Sequence, residues 1–536
     1  MLFDFPFLAL FTLLSSALAT SGSCASLNWE PCANGSPETE LNLSFECSNF
    51  IVPLDYLDTS SNKTITLQVT RVAAVKESQG SIFINFGGPG FATRDDLIYS
   101  AEELMVITGG NYDLIGLDPR GVANNSPFKC YSDAERLETI PRLRLNDAWG
   151  VNDKVALARM WASVGNVAND CVDTTENALE MGALVGTGYT ARDMMRLNDV
   201  LNGPDALLNY YGVSYGTVLG ATTAALFPER MGRVLLSSNV NLAEWYEGYD
   251  LAWWSDADKA VFDFFDRCVG AGPDLCALAG RNETAYALDA KMYKLMDELR
   301  LDPIPVGDAL VLDSSALKMA FRGILMGNQP WPMFAIVLNE LFKSPAERDI
   351  QTVSAIWQVL SSANEIIGNL QDQSMFGIYC GDKAARAASF EDIFAVTEQL
   401  VDISKALGEV ANNLVYLCAR WPYHAKGAYD GGWSDVIETA NPILFTGSRY
   451  DHVTPLGNAY NSSRIFTGST VLSHNGIGHG VTTHPSLCTA KAMRAYFQNG
   501  TLPAEDLDCT ADFDAFDTTK TWRDSYLPEL SLKQHG

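Results

Sequence analysis

The chain has 536 residues, with 37 Lys+Arg against 65 Asp+Glu, so its formal net charge is −28. Apolar residues make up 47% and charged residues 19%, the composition of a globular protein and not of a disordered one. The acidic balance disfavours nucleic acid or an anionic membrane surface as partner, because both need a basic face.

The chain opens on an apolar run over residues 5–18, about the length of a signal-peptide core, followed by the small-x-small pattern Ala17-Leu18-Ala19. The segment before the run holds Asp4 and no Lys or Arg. Residues 1–19 are read as a signal peptide, cleaved after Ala19. No later apolar stretch is long enough to span a bilayer, so the mature protein is expected to be secreted and soluble. Eleven cysteines agree with an oxidising compartment. So do seven N-x-S/T sequons, at Asn34, Asn42, Asn62, Asn124, Asn282, Asn461 and Asn499.

Cysteine spacing suggests short disulfide loops at Cys32–Cys47, Cys268–Cys276 and Cys488–Cys509, with longer ones at Cys130–Cys171 and Cys380–Cys418. Closing a loop of the Cys32–Cys47 size contributes on the order of 3 kcal/mol in the chain-entropy picture. Cys24 is left over. The cysteines are dispersed and no paired C-x-x-C occurs, so no metal and no other cofactor is expected.

From about residue 67 strand-like and helix-like segments alternate. A β-rich run over 81–86 is stopped by Gly87-Gly88-Pro89-Gly90, and one over 112–117 by Asp118-Pro119-Arg120-Gly121. Further runs cover 206–211, 233–236, 442–445 and 470–473, with helical periodicity over 191–201 and 217–227. Short buried strands alternating with helices predict a mostly parallel α/β sheet flanked by helices. Residues 241–434 differ. They carry amphipathic helical patterns at 259–269, 284–299 and 315–326 and few strand signals, which predicts a helical cap inserted between two strands. The expected organisation is therefore a core over 20–240, a cap over 241–434 and a return to the core over 435–536. Trp245, Trp253, Trp254, Trp331 and Met333 within the cap read as packing residues.

Gly212-Val213-Ser214-Tyr215-Gly216 matches G-x-S-x-G between a β-rich run and a helix-forming run. A sharp strand-to-helix turn needs neighbours without bulky Cβ groups and presents the serine hydroxyl at a helix N-terminus, where the dipole favours negative charge. Ser214 is thus the candidate nucleophile. The Gly87-Gly88-Pro89-Gly90 loop lets backbone N–H groups approach a substrate, and the amides of Gly88 and Tyr215 are the expected oxyanion donors, each worth roughly 2.7–4 kcal/mol in the transition state.

Six histidines compete for the role of base. In this arrangement the acid and then the histidine follow the serine along the chain, each on a loop after a strand. His479, in Gly476-Ile477-Gly478-His479-Gly480, fits better than His474 or His484. Asp451, after the strand at 442–445 and a glycine turn, is the expected acid. Asp118 precedes the serine, so Asp118 and Arg120 are read as structural.

These segments, together with Asn85 to Gly90, Phe227-Pro228-Glu229-Arg230, Cys418-Ala419-Arg420-Trp421-Pro422 and the stretch from Gly478 through Cys509, resemble the tripeptidyl-aminopeptidase-like branch of the α/β-hydrolase superfamily, near the prolyl iminopeptidases. The resemblance runs across nearly the whole mature chain. It implies an α/β-hydrolase fold with a helical cap over the serine, and removal of residues or short peptides from a free N-terminus.

The reading is a secreted serine hydrolase of exopeptidase type, working through Ser214, His479 and Asp451 by an acyl-enzyme. Its partner is a peptide or a small ester or amide substrate, and a monomer is favoured. An exopeptidase must bind an ammonium, for which Glu244 and Glu247 are the candidates. A secreted esterase acting on a small ester or specialised metabolite would share the same three residues. A non-catalytic binding protein on this fold typically loses one of them, and here all three positions are filled.

Overall fold

The structure is a computed structural model. It describes residues 27–32, 39–123, 125–143, 147–173, 176–307, 310–363, 372–505 and 507–532. The signal-peptide reading of residues 1–19, Cys24, Asn34 and Asn124 lie outside the described residues.

The strands in chain order are β1 (Glu30–Pro31), β2 (Phe45–Pro53), β3 (Thr64–Val72), β4 (Ser81–Asn85), β5 (Asp113–Leu117), β6 (Leu208–Ser214), β7 (Met231–Asn239), β8 (Ile304–Pro305), β9 (Val311–Leu312), β10 (Leu444–Ser448), β11 (Thr470–Asn475) and β12 (Asp508–Thr510). All but β8 and β9 form one ten-stranded sheet in the order β1-β2-β3-β5-β4-β6-β7-β10-β11-β12. From β5 to β12 every pairing is parallel, while β1, β2 and β3 add on antiparallel.

The parallel strands read as continuous apolar runs because both their faces are covered; all five residues of β4 are buried. In β3 buried and less buried residues alternate over its first half, as an outer antiparallel strand with a wetter face requires. This antiparallel extension precedes the region where the sequence pattern becomes regular. Helices Thr93–Thr108, Leu487–Asn499 and Trp522–Leu530 pack on one another over one face, and Thr187–Asn202 and Tyr215–Leu226 pair on the other. The result is an α/β-hydrolase fold, with β6, which bears Ser214, near the middle of the sheet.

Between β7 and β10 the described chain is mostly helical, with the β8–β9 hairpin as the exception, and it supplies the cap residues that border the serine. A second segment joins it. Residues 130–181, which the sequence assigned to the core, pack against the cap: Gln373 Oε1 accepts from the amides of Cys130 and Tyr131 at 2.8 Å each, and Asn412 Nδ2 donates to the Trp149 carbonyl at 2.7 Å. Tyr423 OH donates to the Cys171 carbonyl at 2.8 Å, and Arg300 pairs with Asp153 at 2.7 Å. The cap is therefore built from two insertions. Amphipathic periodicity says that a helix buries one face but not against which partner, so the segment between β5 and β6 looked like part of the sheet layers.

Five disulfides join Cys32–Cys47, Cys130–Cys171, Cys268–Cys276, Cys380–Cys418 and Cys488–Cys509, the pairs that the spacing suggested. Cys130–Cys171 staples the first insertion and Cys380–Cys418 the second. The sequon residues Asn42, Asn62, Asn282, Asn461 and Asn499 are all exposed. Among the described residues no helix is long and apolar enough to cross a membrane.

Candidate active site

β6 runs two residues past Gly212 and ends on Ser214, which has φ 59° and ψ −126° before the helix Tyr215–Leu226 begins. A left-handed φ on a side-chain-bearing residue is strained, and it persists only where the surroundings enforce it. Here the neighbours do so. A Cβ on Gly212 would come within 2.3 Å of the Gly216 carbonyl oxygen, and one on Gly216 within 2.2 Å of the Asn85 carbonyl oxygen. Thr217 Oγ1 donates to the Ser214 carbonyl at 2.6 Å, and Tyr210 OH donates to the Gly216 carbonyl at 2.7 Å. The glycines of G-x-S-x-G are thus close-approach positions, which is why the pattern is legible in sequence.

The loop after β4 packs against this turn. Gly87 has φ 100°, and a Cβ there would lie 2.9 Å from both the Ser214 Cβ and the Tyr215 amide nitrogen. Gly88 follows with φ 114°. Gly88 and Tyr215 border the same cavity as Ser214. The Tyr215 amide, in the first position of its helix, has no intrahelical acceptor and is available to a ligand.

Asp451 and His479 meet at the other side of the sheet's rim. His479 Nδ1–H donates to Asp451 Oδ2 at 2.8 Å, with Asp451 fully buried and the His479 side chain 8% exposed. Asp451 also accepts from the amides of Val453 and Thr454 and from Thr454 Oγ1. Burial alone would raise its pKa, but the charge and hydrogen bond of His479, with His452 and the Thr454 amide, hold it at about 2. Thr454 Oγ1 also lies 3.0 Å from His479 Nδ1. Thr454, which the sequence pattern does not single out, thus touches both partners.

The remaining described rivals are structural. His474 is buried against Thr489, and burial pushes its pKa down to about 3. His484 accepts from the Ile477 amide and donates to the Phe513 carbonyl. His452 donates through Nε2 to the Arg322 carbonyl at 2.8 Å, and burial lowers its pKa to about 4. Asp118 accepts from the Arg94 amide inside the core. Arg120 is fully buried in a two-pronged pair with Asp193, 2.7 Å on each prong.

Ser214 and His479 open into one cavity of about 350 Å³. Its floor is the rim of the sheet, with Phe86, Gly88, Ser214, Tyr215, Val453 and His479. Its roof comes from the cap: Trp253 and Trp254, then Met319, Arg322 and Met326, then Met375 and Tyr379. The roof touches the floor directly. His479 N–H donates to the Met326 carbonyl at 3.0 Å, and a Cβ on Gly90 would come within 2.5 Å of the Met375 amide nitrogen.

Trp245, Trp254 and Trp331 are core residues as expected, Trp254 also bordering the cavity; Trp253 borders the cavity and is only partly buried, and Met333 is on the surface. Neither Glu244 nor Glu247 borders it. The Glu244 carboxylate caps the Ala252 amide at 2.8 Å, and Glu247 is exposed. The carboxylates that do border it are Asp96 and Asp250. Asp96 sits in the first turn of the helix Thr93–Thr108, just after the glycine loop. Burial, with the charge of Asp95, raises its pKa to about 6. Asp250 pairs with Lys383 at 2.6 Å and accepts from Tyr379 OH, leaving Oδ1 without a partner. Tyr379 packs on Trp245 and Trp245 on Tyr215, so a chain of aromatic contacts links Asp250 to the residue after Ser214. A place at the cap entry pointed to Glu244 and Glu247, whereas Asp96 comes from the core helix after the glycine loop and Asp250 from the cap.

Comparison with known proteins agrees with this architecture. Residues 404–509 match a family described as TAP-like protein. A tripeptidyl aminopeptidase of Streptomyces coelicolor is 26% identical over 515 residues, 92% of this chain and 87% of the relative. The serine protease Hip1 of Mycobacterium tuberculosis is 31% identical over 219 residues, 40% of each chain. A carboxylesterase B of the same species is 25% identical over 491 residues, 90% of this chain and 89% of the relative.

Proposed function

We propose that this chain, a serine hydrolase of the α/β-hydrolase superfamily with a TAP-like region over residues 404–509, is a secreted exopeptidase that releases one or a few residues from a free N-terminus. Ser214 Oγ attacks the scissile carbonyl while His479 Nε2 takes its proton. The Gly88 and Tyr215 amides hold the oxyanion, and His479 returns the proton to the leaving amine. Asp451 fixes the tautomer through Nδ1–H and stabilises the imidazolium. Water then attacks the acyl-enzyme by the same route in reverse.

The observation that carries this reading is the shared cavity: Ser214, His479, Asp96 and Asp250 all border one space. A carboxylate held in an apolar wall is relieved by an incoming ammonium, which gives a free amino end an advantage over a blocked one. Asp96, with no ion-pair partner among the described residues, takes this role, whereas Asp250 already has Lys383 as its counter-charge. The five disulfides and the exposed sequon asparagines support secretion.

The test compares aminoacyl- and tripeptidyl-arylamides, each with a free or acetylated amino end, in the wild type and in Ser214→Ala. Free-amine substrates are expected to be cleaved about ten-fold or more better, and the variant to be inactive. Equal rates on free and acetylated substrates would sink the exopeptidase reading. A second reading, an esterase, is favoured by the aromatic and methionine walls of the cavity and by the carboxylesterase relative. Short acyl esters turned over far faster than any arylamide would select it.

A further inference from the structure

Arg322 lies on the cavity roof, half-buried, and differs from the fully buried cations. Arg120 is paired with Asp193, Lys383 with Asp250, and Lys318 with Glu409. The Arg322 guanidinium has no ion pair and no side-chain hydrogen bond among the described residues, although burial lowers its pKa from the ordinary arginine value. An unpaired guanidinium facing a cavity leaves its donors open to a ligand that supplies the counter-charge.

Its position is defined by the backbone around it. The Arg322 carbonyl accepts from His452, the neighbour of Asp451, and the Met326 carbonyl accepts from the His479 amide. Arg322 therefore stands on the histidine side of Ser214. Asp96 follows the glycine loop, and Asp250 is ion-paired with Lys383. One cavity thus holds a carboxylate without an ion pair after the glycine loop and a guanidinium without one near the base.

A peptide bound for acyl transfer must place its acyl part at the oxyanion donors and its leaving amine beside the histidine that protonates it. We infer that Arg322 is a subsite for a carboxylate on the leaving-group side of the scissile bond, so that the preferred substrates are short peptides with both ends free, the leaving residue carrying the C-terminal carboxylate. The inference rests on the exopeptidase reading and adds a second charged anchor to it. Guanidinium suits the task because its fork of donors matches a carboxylate in a two-pronged arrangement.

The test uses tri- and tetra-alanine, each as the free acid and as the C-terminal amide, with products read by mass spectrometry for the wild type, Arg322→Gln and Arg322→Lys. A charge-assisted contact of this kind corresponds to about a ten-fold or greater preference in kcat/KM for the free acid in the wild type. In Arg322→Gln the acid-to-amide ratio should fall to about one, and Arg322→Lys should retain part of it. The ratio is internal to each protein, so a change in overall turnover does not disturb it. A wild-type ratio near one, or an unchanged ratio in Arg322→Gln, overturns the subsite. If arylamides are cleaved while the ratio is one, only the Arg322 assignment falls; if no peptide or arylamide is cleaved, the exopeptidase reading falls with it.

Discussion

The backbone N–H of His479 donates to the carbonyl of Met326, so the loop that bears the imidazole is hung on the cap. Gly478 tightens the join, since a Cβ there would come within 2.9 Å of that same carbonyl oxygen. The placement of the base and the shape of the roof are consequently one structural matter, and changes in either should be felt by the other.

The first prediction concerns the acid. Asp451→Asn keeps the side-chain volume but replaces the ionised carboxylate that holds His479 Nδ1–H. It should lower kcat on an arylamide by about 10⁴-fold, the cost of presenting the wrong tautomer. Steady-state kinetics with thermal melting as a control for folding checks this.

Asp451 also makes stability depend on acid. Its pKa is held at about 2, below the ordinary 3.8, so its contribution is fully present above about pH 4 and is lost as pH falls toward 2. The shift corresponds to about 2 kcal/mol. Urea unfolding at pH 5 and at pH 2.5 should show that loss in the wild type, and Asp451→Asn should lack it.

Asp96 has the opposite sign. Its pKa is raised to about 6, so the folded state is penalised as pH rises from the ordinary carboxylate range through 6. Asp96→Asn should therefore raise the melting temperature at pH 7 while erasing the preference for free-amine over acetylated substrates. In the wild type KM for a free-amine substrate should fall as pH climbs through about 6, and in the variant that limb should vanish.

Gly87 should tolerate no side chain. Its φ of 100° is already unfavourable for L residues, and a new Cβ would press on Ser214 and the Tyr215 amide. Gly87→Ala should cost at least about 10²-fold in kcat, comparable to losing one oxyanion donor. Fluorophosphonate labelling of Ser214 over time is the direct readout.

The Arg120–Asp193 pair should matter for folding alone. Asp193→Asn leaves a buried guanidinium without its counter-charge, at a cost of about 3–5 kcal/mol. Denaturant unfolding measures that loss, and KM on arylamides should not move.

Much of this site could be read along the chain because its constraints are local. The glycines flanking Ser214, the loop of Gly87 to Gly90 and the glycine turn before Asp451 are each demanded by close backbone approach within a few residues. Cysteine pairs closed at short separations were legible for the same reason. The substrate end of the cavity was not. Asp96, on a core helix, and Asp250 and Arg322, on the second insertion, come from segments with no shared motif and meet only where that insertion folds over the sheet. Glu244 has the right charge and stands near a strand end, yet its carboxylate is spent on the Ala252 amide, a local hydrogen bond that no composition or period reveals.

The backbone of Met375 rests on Gly90, and the two insertions above it are each cross-linked by a disulfide. A ceiling seated on main chain cannot be raised by turning a few side chains.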